Sequence, residues 1–361
     1  MVISERARNV IENCRFCWMC RHVCPIGNAT GQERNTARAR ALASSMAARE
    51  VVKEADIIEN IYECSLCGAC TNNCVTGFDP KVFIQEVKTD CILNGIIPEY
   101  IRVLLDRYAQ TGNVYGLPFP DELRTLYETK KADVLFLAGQ DAVFKSPRSV
   151  KNAANLLKKS GLSFTMEKAA EDTGAALWFL TGKTEETREA AMRCAEIMNR
   201  YKSVIVYDPV DLKLMRHEYR EWGIAVEAEI FGFNESILRS IKSGKLRVKN
   251  GGSEYTPQDC YTYARDLDDT ETIRKLICTV GKNREMLLHG KEADLAGSLL
   301  MNEYMPDVMK KTAEKRFGEA LAAGCRTLVT ENPAEYELLK AVCPEGYRVI
   351  SAEEMILENM R

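Results

Sequence analysis

Two short cysteine runs constrain this 361-residue chain more than anything else in it. The first is Cys14-x2-Cys17-x2-Cys20-x3-Cys24, followed by Pro25; the second is Cys64-x2-Cys67-x2-Cys70-x3-Cys74, followed by Val75. Three thiolates at i, i+3 and i+6 wrap one face of an iron–sulfur cube and bind three of its irons. The fourth, displaced by one extra residue, completes the neighbouring cube. The spacing therefore predicts two [4Fe–4S] clusters, one on Cys14, Cys17, Cys20 and Cys74, the other on Cys64, Cys67, Cys70 and Cys24. Crossed ligation obliges the two runs to meet in space, whatever the intervening residues do. Structural zinc usually takes two Cys-x2–4-Cys pairs, not three evenly spaced cysteines plus an offset fourth. The missing second Pro shapes a turn and binds no iron.

The chain has fourteen cysteines. Met1–Arg6 shows no apolar signal segment, and no stretch approaches the eighteen uncharged apolar residues of a membrane span. The expectation is a cytoplasmic protein, attached to a membrane only through a partner, whose thiols are ligands or packing groups and not disulfides. Cys91, Cys194, Cys260, Cys278, Cys325 and Cys343 stand singly and read as packing. A net charge of −3 gives no general attraction to nucleic acid or anionic lipid.

Along the chain the pattern reads as an α+β multidomain protein of three blocks, 1–120, 121–245 and 246–361. In the first, Thr36–Tyr62 lacks Pro and Gly and is apolar at helical spacing, and Lys81–Leu93 reads as a helix started by Asp79-Pro80. Gly112–Pro120 marks a boundary. Thereafter Asp133–Ala138, Ala176–Leu180 and Ser203–Tyr207 have strand length and apolar character, each followed by an amphipathic helical segment, which predicts α/β units on a mostly parallel sheet. The basic loop Lys242–Ser253 marks a second break, after which Thr327–Thr330 is the clearest strand. A weak repeat relates 203–211 to 326–335: strand, polar residue, Pro, helix.

This arrangement resembles the iron–sulfur subunits of glycolate oxidase and anaerobic glycerol-3-phosphate dehydrogenase, and the D subunit of heterodisulfide reductase. The resemblance implies an α-helical ferredoxin domain followed by two α/β lobes of the cysteine-rich "CCG" type. Complete members carry Cys-Cys-Gly and Cys-Pro-x-Cys elements in each lobe. Here Asp208-Pro209-Val210-Asp211 and Asn332-Pro333-Ala334-Glu335 stand in place of the latter, Asp172-Thr173-Gly174 and Leu288-His289-Gly290 in place of the former, and Gly139-Gln140 where Gly-Cys is expected. Without thiolates these positions hold no further iron–sulfur cluster. Cys260 is the one scattered cysteine at a family-like position and reads as a packing relic. Asp208, Asp211 and Glu335 read as helix caps, with a hard-metal site as the alternative.

Around the cysteines, Phe16, Trp18 and Leu66 are placed to exclude water and Gly68 to let an amide approach sulfur. Arg15, Arg21 and His22 either favour the reduced cluster or are plain surface residues. Thr181-Gly182-Lys183-Thr184 lacks the first glycine of a phosphate loop, Leu177 standing there. No Gly-x-Gly-x-x-Gly occurs, so no flavin or nicotinamide site of the chain's own is expected. His217 is expected to face solvent. The function implied is an electron-transfer subunit, itself without catalytic residues, of a multi-subunit oxidoreductase in anaerobic metabolism. It would serve a partner flavoprotein dehydrogenase acting on a 2-hydroxy acid or polyol phosphate, with an electron-transferring flavoprotein as a further partner. The alternative is a self-contained reductase of a disulfide or small acceptor with its substrate site in the lobes.

Overall fold

The computed structural model describes residues 1–128 and 132–361. The expected helical stretch 36–62 forms two helices, Ala37–Ala48 and Glu54–Tyr62. Thr36 starts the first, its hydroxyl accepting from the Ala39 amide, and the chain turns through Glu50 at φ 59° before the second. Composition favours helix throughout, so only this local left-handed residue marks the break. Pro80–Leu93 forms as expected, with Asp79 capping the Lys81 amide and Pro80 in the first turn. A further helix, Glu99–Thr111, went unread; it buries Ile101 and Leu104 and closes at Gly112, φ 74°.

Beyond residue 132 lie two small parallel sheets. Strands β1 (Val134–Leu137), β2 (Ser203–Val206) and β3 (Glu229–Gly232) pair in the order β1-β2-β3. Strands β4 (Ser253–Gln258), β5 (Gly281–Asn283), β6 (Thr327–Thr330) and β7 (Arg348–Ser351) pair as β5-β4-β6-β7. Every pairing is parallel, and the middle residues of β1 and β2 are buried on both faces, which is why they read as unbroken apolar runs. The repeat seen in sequence has a structural counterpart. After β2, Asp208 caps a helix with Pro209 in its first turn; after β6, Asn332 caps a helix with Pro333 in the same place.

One expected strand is a helix. Ala175–Thr181 is helical, started at Gly174 (φ 83°) and ended at Gly182 (φ 68°). A short apolar run has the same signature in a buried strand and in a buried helix. What decides here is the far end of the helix. The Trp178 carbonyl accepts from the capping Gly182 amide at 3.0 Å and also from Gln85. The last carbonyls, left over at the helix end, accept from the N-terminal domain: Phe179 from Lys88, Leu180 from the Tyr62 hydroxyl and Thr181 from Thr89. This helix therefore fastens the α/β region to the helical domain. Among the described residues no helix is long and apolar enough to cross a membrane.

Candidate iron–sulfur site

The two cysteine runs adopt the same local shape. In Cys14-Arg15-Phe16-Cys17 the third residue has φ 51°; in Cys64-Ser65-Leu66-Cys67 it has φ 56°. A left-handed conformation is costly for such side chains, and its recurrence at matching positions points to a shared constraint: it turns an amide toward sulfur. The Leu66 N–H donates to Cys64 Sγ at 3.4 Å, and the Phe16 amide does the same for Cys14. Short helices follow, Met19–Val23 carrying Cys20 and Ala69–Asn72 carrying Cys70, and the two pack on each other.

That packing brings the offset cysteines to opposite runs. Cys14 lies within the electrostatic reach of Cys17 and Cys74, while Cys24 feels Cys67 and Cys64. Cys70 feels Cys67, Cys64 and Cys24. All eight cysteines are free thiols. Burial pushes the thiols of Cys14, Cys20, Cys24 and Cys70 up. At Cys74 burial works the same way, but hydrogen bonds from Thr76 and Phe78 outweigh it and leave the thiol lowered. Amides also reach Cys24 from Gly27, at 3.4 Å, and Cys20 from Arg38.

The surroundings fit an anionic group. Arg40 is fully buried; it donates to the Asn35 and Asn60 carbonyls at 2.6 and 2.9 Å, while Nη2 has no hydrogen-bond partner among the described residues. Its field is shared with Cys64 and Cys24. Lys88 is fully buried too, and burial lowers its ammonium to about 7 against the pull of Cys64. A buried guanidinium beside buried thiols is unfavourable unless those thiols are ligated as thiolates, and the same anionic charge would hold Lys88 in its ammonium form. Among the described residues no three His, Cys, Asp or Glu side chains converge to hold a single ion; cubane ligands instead hold separate corners of a larger group.

The two halves differ in environment. Cys17, Phe16, Trp18 and Met19 are exposed around the first half, with Trp18 flanked by the guanidinium groups of Arg38 (4.1 Å to the ring centre) and Arg21 (5.5 Å). Phe16 and Trp18 thus do not seal that half from water as the sequence suggests, whereas Leu66 is buried. Arg21 and Arg38 both pair with Glu33. The second half is covered by the C-terminal region: Arg265 donates to the Cys67 carbonyl at 2.9 Å, Lys81 pairs with Asp266 at 2.5 Å, and Asn72 and Asn73 reach Glu292. Gly68, φ 71°, lies under the Lys81 and Arg265 side chains, so a side chain there would meet them. Arg265 went unread because nothing in sequence links it to a cysteine 198 residues away.

The thiol-free positions of the α/β region also converge. Gln140, Asp172, Thr173, Asp208 and Asp211 line one cavity of about 60 Å3 together with Tyr261 and Ser298. Asp208 is a helix cap, as expected, accepting from the Val210 amide at 2.8 Å. Asp211 accepts instead from the Thr173 hydroxyl. Glu335 is fully buried, its Oε1 accepting from Gln258 and the Ala296 amide. Cys260 is buried beside Asn332, and burial pushes its thiol well up, which suits a packing role. His217 is exposed, as expected.

These features define an iron–sulfur protein with an N-terminal ferredoxin-type helical domain. Residues 10–78 match the family model of a 4Fe–4S dicluster domain. No curated protein matches the chain. Among solved structures, a hypothetical protein from Helicobacter pylori is similar at a TM-score of 0.49 and 11% identity, over 99% of this chain and 73% of its own.

Proposed function

We propose that this protein holds two [4Fe–4S] clusters by crossed ligation and serves as the electron-transfer subunit of a flavoprotein oxidoreductase. The carrying observation is the pairing across runs, Cys14 with Cys74 and Cys24 with Cys64 and Cys67. When bound, the clusters supply one-electron redox chemistry. The chain's residues then divide the work. Arg40 and Lys88 place positive charge beside the buried half, and Arg265 and Leu66 keep that half dry. Exposed Cys17, Trp18 and Met19 present the other half to a partner. A flavin dehydrogenase suits such a carrier, because a flavin gives up two electrons and each centre takes one.

Metal analysis, sulfide analysis and EPR on anaerobically purified protein test this reading. About eight irons per chain are expected, with Cys74→Ser and Cys24→Ser each perturbing a different centre. Zinc, or iron without inorganic sulfide, sinks it. A second reading, a reductase acting within the α/β region, draws support from Tyr261, which packs beside Cys67 and also lines the acidic cavity. Turnover of a small acceptor by the isolated chain, lost in Tyr261→Phe or Asp208→Ala, favours it over the carrier.

A further inference from the structure

The face around the first cysteine run is apolar at its centre and basic around it. Phe16, Trp18 and Met19 are 44%, 53% and 53% exposed, and Cys17 among them is exposed as well. Val75, 92% exposed, brings the second run to the same place, because it follows Cys74, whose charge reaches Cys14. Exposed aromatic side chains and Met grouped with Arg are the composition of protein interfaces, and Trp and Arg dominate their energetics. The patch is also set before any partner arrives. Arg38 donates to the Phe16 carbonyl at 3.1 Å and lies 4.1 Å from the centre of the Trp18 ring. A preformed surface gives up less conformational freedom on docking.

Charge decides what this face fits. Residues 1–49 contain eight Arg, no Lys and three Glu, a net +5, which leaves −8 on residues 50–361 of a chain whose total is −3. Arg15 and His22 are exposed and have no ion pair among the described residues, while Arg21 and Arg38 share the single carboxylate of Glu33. Guanidinium groups with spare N–H donors are suited to carboxylates, which they meet two bonds at a time. A second copy of the chain would bring the same positive rim and be repelled. An anionic bilayer would meet a chain of negative net charge, with half-exposed side chains in ligand loops where an inserting amphipathic helix is needed. An acidic protein surface has neither difficulty.

We propose that this face docks a redox protein of acidic surface, whose Asp and Glu side chains meet Arg15, Arg21 and Arg38 around an apolar centre that receives Trp18. The proposal rests on the electron-carrier reading above and adds to it the charge of the partner. Flavodoxin, an acidic FMN protein, is the probe, and cytochrome c, a basic haem protein, is its counterpart. Each is fluorescently labelled and titrated by anisotropy with the anaerobically purified holoprotein, so that the clusters' own negative charge counts against the rim. Saturable binding of flavodoxin is expected, weakening roughly tenfold between about 20 and about 200 mM salt. It should be lost in Arg15→Glu/Arg21→Glu, which should take up cytochrome c instead. Trp18→Ala leaves the charge alone and should weaken flavodoxin binding roughly tenfold or more. Iron and sulfide content, read on the same samples, separates the two failures: a chain without clusters sinks the carrier reading. With both clusters present, flavodoxin binding that is absent, insensitive to salt or retained in Arg15→Glu/Arg21→Glu overturns this proposal. Tighter binding of cytochrome c by the parent overturns it too. So does Trp18-dependent binding to phosphatidylglycerol vesicles in place of flavodoxin, or self-association that the double variant abolishes.

Discussion

Arg40 is the residue on which the electrostatics of the buried half turns. Its charge sits at 1% exposure, its field shared with Cys64 and Cys24, with one guanidinium nitrogen unpaired among the described residues. Replacing it by Met removes a cation next to an anionic centre, and should lower that centre's reduction potential by roughly 50–100 mV. Arg40→Lys should retain most of the potential, and EPR-monitored redox titration separates the two. An unchanged potential in Arg40→Met denies the residue any electrostatic role. The eight cysteines could be singled out as candidate ligands from spacing alone because cubane geometry dictates that spacing. Arg40 and Lys88 could not, since each lies in a helix whose composition gives no reason to bury its charged face. The left-handed Phe16 and Leu66 were equally hidden, because no sequence rule places a bulky residue there.

At the scale of elements, the helix Ala175–Thr181 matters most. It was legible as an apolar run but not as a helix, because the donors that complete its last turn come from Tyr62, Gln85, Lys88 and Thr89, far away in sequence. Strands β1, β2 and β6 were legible because both of their faces are buried. Strand β3, with an exposed Glu229 and half-buried middle, was not. Gly182 closes the helix against the Gln85 carbonyl, where an added Cβ would lie 2.5 Å from the oxygen at φ 68°. Gly182→Ala should therefore cost roughly 2–4 kcal/mol and loosen the helical domain from the sheets. Chemical denaturation measures the loss, and protease cutting between the two regions should accelerate. A stability within about 0.5 kcal/mol of the parent, the size of an ordinary surface effect, would falsify this account of the junction.

The whole molecule carries an unusual load of buried acids. Burial raises Glu171 and Glu353 to about 7, and Asp211 and Glu335 to about 8. Between the ordinary carboxylate range and pH 8 the folded protein thus keeps protons that the unfolded chain releases. Stability is fully present below that range and falls as pH rises through 7 to 8. Urea midpoints should drop between pH 6 and pH 8 by an amount worth several kcal/mol. Asp211→Asn should flatten part of that slope, and a parent profile that is flat or rises would contradict it. The grouping of these acids was only half legible. Asp208, Asp211 and Glu335 could be singled out from their Pro-containing motifs, but their burial follows from how the two sheets and the helical domain close on one another.

Trp18, seated between two arginines one residue from an exposed cysteine, has an optical consequence. An iron–sulfur chromophore at that distance drains the excited indole, leaving emission to Trp178 and Trp222. With the two clusters proposed above, the protein would carry its own gauge of cluster integrity: fluorescence should brighten as the solvent-facing cube is lost to air, before the covered one follows.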